Sequence, residues 1–238
     1  MADDALFALG IGHQSKNNQN ESLDCFFPNP LINLSHEDSK VFKNYRDGTS
    51  EILPQEAANL NESTSFDLVP QSLIEKDKPL ALVTLKNDEA IRSIEEAYLK
   101  LHLISHRLTL PNSLNLTDLF NHLPNVVWTN KGPIDMKEID EQILSYRFEK
   151  EHLEIFSVDK FPKMTNYIIP SGVRIADASR IRLGAYLGDG TTVMHEGFIN
   201  FNAGAYGPNM VEGRADHRGT HPVPSLSLAS TRKLQASF

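Results

Sequence analysis

Residues 169–211 read IPSGVRIADASRIRLGAYLGDGTTVMHEGFINFNAGAYGPNMV, and an apolar residue returns at every sixth position. The series is Ile169, Ile175, Ile181, Leu187, Val193, Ile199, Ala205, Val211. Four places after each member come Val173, Ser179, Ala185, Thr191, Gly197, Ala203, Asn209 and Ala215, all but the first small or turn-compatible. A period of six suits neither a helix at 3.6 nor a plain strand at 2. It suits a chain wound as a triangular prism, one hexapeptide per face and three per coil, which is a parallel β-helix. The first residue of each unit points inward; the fifth is small because the chain turns a corner there. With 40 % hydrophobic residues, eight apolar hits in one register arise by chance at roughly 0.0007. The small corner positions make the signal strong.

Working outward, the 238 residues leave room for one large or two small domains. A formal charge of −8 argues against a nucleic-acid binder, which needs a basic face. The start, MADDALFALGIG, has no basic region and no long apolar core, so no signal peptide is expected. No stretch approaches the ~20 apolar residues that span a bilayer. A cytoplasmic protein without membrane or nucleic-acid partners is the expectation. The single cysteine, Cys25, excludes an internal disulfide. With no cationic neighbour in sequence, it reads as a packed thiol beside Phe26 and Phe27 rather than a nucleophile.

Ahead of the repeat, residues 11–77 are polar with short apolar islands. Leu80–Leu85 reads as a strand. Asn87 or Asp88 then caps a helix with Ile91, Ile94, Tyr98, Leu101 and Ile104 on one stripe, and Arg92, Glu95, Glu96 and Lys100 mostly facing away. A short helix over Thr117–Leu123, an extended Asn125–Trp128, a helix opening at Asp135 and a strand over Leu153–Val158 follow. The expected organisation is an α+β N-terminal domain over 1–165, β-helix coils over 166–214, and a divergent tail over 215–238. In that tail the rung positions His217, Val223 and Ala229 fit poorly, and Pro222 and Pro224 would remove ladder donors. It reads as a frameshifted or replaced terminus, with a short extended cap as the alternative.

Three polar clusters interrupt the apolar rungs: Met194-His195-Glu196-Gly197, Asn200-Phe201-Asn202-Ala203-Gly204 and Met210-Val211-Glu212-Gly213-Arg214. A carboxylate on an outer face is a candidate base or nucleophile, and a neighbouring guanidinium can hold an anionic group bidentately. Solvated face residues are the plain alternative for Glu196, Glu212 and Arg214. His195 is a candidate base or metal ligand; His217 and His221 fall outside the clean repeat, which argues against a histidine zinc site.

The runs Gly172–Ala185, Gly190–Gly204 and Met210–Arg214 resemble tetrahydrodipicolinate N-succinyltransferases of the longer, actinobacterial and pseudomonad type. Phe7–Gly12, Leu101–Arg107 and Leu123–Asn130 are similar to the N-terminal segments of that family, so the resemblance covers about 1–214. It implies a left-handed β-helix, a homotrimer, and transfer of succinyl from succinyl-CoA to the amine of a ring-opened dicarboxylate in lysine biosynthesis. It further implies that Glu212 is the active glutamate, as base or as acyl acceptor, and that Arg214 contacts succinyl-CoA. Glu196 matches a magnesium position on the trimer axis, while Ser179 stands where some relatives place a second metal-binding aspartate. No counterpart of the family's later coils follows Arg214, so a truncated and inactive chain is expected. A non-catalytic oligomerisation scaffold is the rival reading; another hexapeptide-repeat enzyme, such as a sugar acyltransferase, is the third.

Overall fold

The computed structural model describes residues 5–215. They fall into two compact units, one formed by 5–103 with 115–162, the other by 104–114 with 163–215. The sequence features expected within 216–238 lie outside the described residues.

The first unit is built on an antiparallel sheet. Strand β1 (Ala8–Lys16) pairs through its first half with β3 (Leu31–Ile32) and β5 (Leu80–Leu85), and through its second half with β2 (Ser22–Phe26). Strand β4 (Gly48–Ile52) closes the far edge against β5. Every residue of β5 is buried, as its unbroken Leu-Ala-Leu-Val-Thr-Leu run requires of a central strand. Leu9, Ile11, Leu80 and Leu82 pack with Phe42, Ala57, Leu60, Leu68 and Val69 in one apolar cluster.

The helix Ile94–Ser105 departs from the amphipathic expectation. Its cap is Ser93, whose hydroxyl accepts the Glu96 amide at 3.2 Å, and not Asn87 or Asp88. It is buried all round, Leu99 and Leu103 included, and Glu95, Glu96 and Lys100 are buried rather than facing away. Each charge reached this position with partners. Lys100 donates to Asp88 Oδ1 at 2.6 Å and to the Glu89 and Asn115 carbonyls, and Glu95 accepts from the Ser22 hydroxyl at 2.6 Å. A buried charge is tolerated on these terms only.

A smaller antiparallel sheet orders β6 (Val126–Thr129) between β7 (Gly132–Asp135) and β8 (Ile155–Asp159). The strand β7 takes the place of the helix start expected at Asp135; the helix runs Ile139–Phe148 instead. The short helix before this sheet covers only Leu119–His122.

In the second unit the six-residue rhythm becomes three short parallel ladders. One face stacks β9 (Arg174–Ile175), β11 (Thr191–Val193) and β14 (Asn209–Val211). A second pairs β10 (Tyr186–Leu187) with β13 (Gly204–Ala205). The third pairs β12 (Phe198–Ile199) with β15 (Arg214–Ala215), and a single parallel bridge joins Ile181 to Ile199. Thr192 lies beside Arg174, and Tyr186 beside Gly204, so each coil takes eighteen residues, or three hexads. Ile181, Leu187, Val193, Ile199, Ala205 and Val211 are buried inside. The turns between faces are tight: a Cβ on Gly197 would lie 2.4 Å from the Val211 carbonyl oxygen, so no larger residue fits that corner.

Two expectations for the repeat are corrected. Ile169 is 68 % exposed and is no rung, because the first ladder strand starts only at Arg174 and Ile169 has no coil to face. The register also breaks before Arg214 rather than after it. Phe198 pairs with Arg214 and Ile199 with Ala215, an offset of sixteen where the other ladders show eighteen.

The segment after the long helix braces these coils. Ser105 donates to the Ala185 carbonyl at 3.1 Å and accepts the Gly184 amide at 2.9 Å. Arg107, in the left-handed conformation that ends the helix, donates to the Leu187 and Ser171 carbonyls. Asn112 and Asn202 are joined by two hydrogen bonds. Coil carbonyls that face no neighbouring strand thereby gain donors.

Candidate functional site

The two-residue deficit falls on Glu212 and Gly213. Val211 and Val193 are ladder partners, as are Arg214 and Phe198. Between those anchors one coil has Met194, His195, Glu196 and Gly197, and the next has only Glu212 and Gly213. Hydrogen bonds pin the short corner at both ends: Met194 N donates to the Val211 carbonyl at 3.0 Å, and Phe198 N to the Gly213 carbonyl at 3.1 Å. Both Glu212 and Arg214 are exposed, so a carboxylate and a guanidinium flank a glycine at one edge of the coils.

Glu196 occupies the same corner one coil earlier. Its side chain is 84 % exposed and lies 3.3 Å from the Arg180 guanidinium. Arg180 also sits 3.8 Å from Asp177, and the Ser179 hydroxyl and amide both donate to that aspartate. These Ser179 bonds hold the Asp177 carboxyl below its ordinary range. Among the described residues no group of three or more His, Cys, Asp or Glu side chains converges on a point. Within one chain the Glu196 carboxylate is paired with Arg180 and belongs to no such group, so this donor set does not fit a metal by itself.

The structure places Glu196 and Glu212 at the same corner of successive coils, with Arg214 opening the strand that follows Glu212. It adds two that sequence reading passed over, Arg182 and Phe198. The Arg214 and Arg182 guanidiniums lie 5.5 and 5.7 Å from the Phe198 ring centroid. Ladder arithmetic would have found the first neighbour only if the two-residue deficit had been known, since an eighteen-residue step pairs Phe198 with residue 216. Cys25 is fully buried, and burial pushes its thiol well above the ordinary value, which removes it as a nucleophile.

Stacked eighteen-residue parallel coils with an exposed Glu-Gly-Arg corner define a hexapeptide-repeat protein. Comparison with known proteins narrows the class. Residues 123–163 match the family model for the middle region of tetrahydrodipicolinate N-succinyltransferase. A 2,3,4,5-tetrahydropyridine-2,6-dicarboxylate N-succinyltransferase of Pseudomonas putida is 48 % identical over 219 residues, covering 88 % of this chain and 64 % of the relative. Its counterpart in Salinispora tropica is 43 % identical over 216 residues, covering 88 % of this chain and 62 % of the relative. A crystal structure of a putative 2,3,4,5-tetrahydropyridine-2-carboxylate N-succinyltransferase from Campylobacter jejuni superposes with a TM-score of 0.73 at 26 % identity, covering 89 % of this chain and 62 % of that one. Over 88 % of its length the chain is similar to tetrahydrodipicolinate N-succinyltransferases. It spans a little under two thirds of the length of the relatives it matches.

Proposed function

We propose that the protein, at its full coding length, transfers succinyl from succinyl-CoA to the amine of ring-opened tetrahydropyridine-2,6-dicarboxylate in lysine biosynthesis. The 48 % identity to a relative of that name carries the reading. The exposed Glu212-Gly213-Arg214 corner supplies groups suited to it. Aminolysis of a thioester needs an amine freed of its proton, an aligned carbonyl and anchors for carboxylates. Acting as base, Glu212 takes the ammonium proton. The amine nitrogen then attacks the thioester carbon, the C–S bond breaks, and the CoA thiolate leaves with a proton. Acting as acyl acceptor, the Glu212 carboxylate first displaces CoA to give a mixed anhydride, which the amine then opens. In both routes Arg214 anchors a carboxylate of succinyl-CoA.

We further propose left-handed coils assembled as a homotrimer, with Glu196 of each copy near the threefold axis. Only such convergence would give magnesium several carboxylates, and Arg180 would then have to release its partner. No step of the transfer is routed through that ion.

Thiol release from succinyl-CoA in the presence of the dicarboxylate, followed with the complete gene product, tests the activity. Glu212→Gln is expected to lower the rate by about 10²–10⁴, because an amide is neither base nor acyl acceptor. Release that does not depend on the dicarboxylate defeats the transferase reading and leaves the scaffold. An unchanged rate in Glu212→Gln shows that another group does the work.

A further inference from the structure

Half of the large apolar side chains that stay exposed among the described residues fall within 136–158: Met136, Leu144, Phe148, Ile155, Phe156 and Val158. Three of them belong to β8, an outer strand of the β7–β6–β8 sheet. An edge strand presents backbone groups that another chain can pair with, and proteins blunt such edges with charge or proline. The opposite edge of this sheet is defended in that way, since β7 carries Pro133 and its Ile134 is buried. From Ile155 to Val158, β8 carries neither device.

A bulge sharpens this edge. Thr129 pairs with Ile155 and Trp128 with Ser157, so Phe156 is the extra residue. Ladder partners point to the same side of a sheet, and Val127 and Thr129, two residues apart, share one face. Their partners Val158 and Ile155 therefore share that face too, although plain alternation sets residues three apart on opposite sides. Ile155 at 44 % exposure and Val158 at 55 % form one apolar ridge. Glu154 and Lys160 flank the strand, and neither meets an opposite charge among the described residues. Lys160 donates to the Phe120 and Leu123 carbonyls, which leaves its third N–H for a carboxylate.

We propose that β8 docks on β8 of a second copy of this chain, antiparallel and about a two-fold axis through Ser157, to make one continuous sheet. That register sets Ile155 of each copy beside Val158 of the other on the shared apolar face. It also brings the Glu154 end of each strand to the Lys160 end of its neighbour. The contact lies wholly within the first unit, so it is additional to the threefold association of the coils and independent of the transferase reading. A short strand pair covers less than the roughly 1,200 Å² of a stable interface, so trimers join in pairs only at high concentration.

Sedimentation equilibrium of the 238-residue chain from about 5 to 500 μM tests the edge. The number of copies per particle is expected to double across that range, whatever it is at the dilute end. Val158→Lys puts a charge on the edge and should hold the particle at its dilute size, with association weakened at least about tenfold. Glu154→Lys gathers like charges at both ends of the strand pair and should weaken the doubling about three- to tenfold, a difference that fades in high salt. Ser157→Cys reads the same contact without disturbing the ridge. Because Cys25 is buried, mild oxidation should link Ser157→Cys chains in pairs at least about tenfold faster than Ser63→Cys, which is exposed elsewhere. A particle size independent of concentration, doubling untouched by Val158→Lys, or equal cross-linking of the two cysteine variants overturns the pairing. Cross-linking of Ser157→Cys in this chain that is lost in the complete gene product also overturns it, and makes a later segment of the chain the occupant of β8.

Discussion

Single residues show most directly where sequence reading stops. His106 follows the long helix, and burial alone pushes its imidazole down to about 4. The unfolded chain takes up that proton near pH 6.5 and the folded chain only near pH 4, so the unfolded state binds more protons between those values. The stability that His106 contributes is complete above about pH 6.5 and is lost as the pH falls toward 4. Allowing for its partial exposure, the loss is on the order of 2 kcal/mol. Urea midpoints measured from pH 7 to pH 4.5 should fall in the wild type, and the slope should be shallower in His106→Asn. Parallel curves for the two proteins would mean that other groups carry the acid sensitivity. Nothing in the sequence marks His106 as different from exposed His195. The difference arises from packing around residue 106, not from local composition.

At the scale of elements, apolar spacing located the Ile94–Ser105 helix but misjudged its polar side. The periodic stripe was legible because one face of a helix must meet a core. The burial of Lys100 was not, because its partners Asp88 and the Glu89 and Asn115 carbonyls are set by loops. Lys100 ties the start of one loop and the end of another to the helix between them. Lys100→Met keeps much of the stem volume but orphans two carbonyls and leaves the Asp88 carboxylate without its cation. A loss of about 2–4 kcal/mol in chemical denaturation is expected. A loss below about 0.5 kcal/mol would show that water replaces the ammonium at no cost. The parallel coils were more legible than the helix environment, since each rung from Ile181 to Val211 faces another apolar rung one coil away.

At the scale of the whole molecule, the six-residue rhythm yielded the stacked parallel faces, while the N-terminal unit yielded only its separate pieces. Hexads repeat along the chain, so local reading suffices; β1 also pairs with β3 and β5, and no local signal announces partners so far apart. The Glu212, Arg214 and Glu196 positions came from likeness to a family, and the structure adds that they share one edge. Association through that edge is the basis of the proposed homotrimer. Sedimentation velocity of the purified chain should give a single species of three copies, and Glu196→Arg should shift it toward smaller species, because it removes the carboxylate paired with Arg180 and leaves only cations near the axis. A monomer at micromolar concentration in the wild type would remove the trimer from the proposal.

The sixteen-residue step from Phe198 to Arg214 gives the Glu212 corner a further property. Elsewhere a corner has more slack: three or four residues bridge two faces, and a side chain can be re-aimed by small rotations shared among them. Here two residues bridge the same gap, with ladder bonds clamping the chain immediately before and after. The backbone at Glu212 has almost no independent freedom, and its direction is dictated by the strands on either side. In the proposed transferase, the backbone entropy of aiming Glu212 would then have been lost when the coils formed, and only its side-chain torsions would remain to be fixed at each encounter.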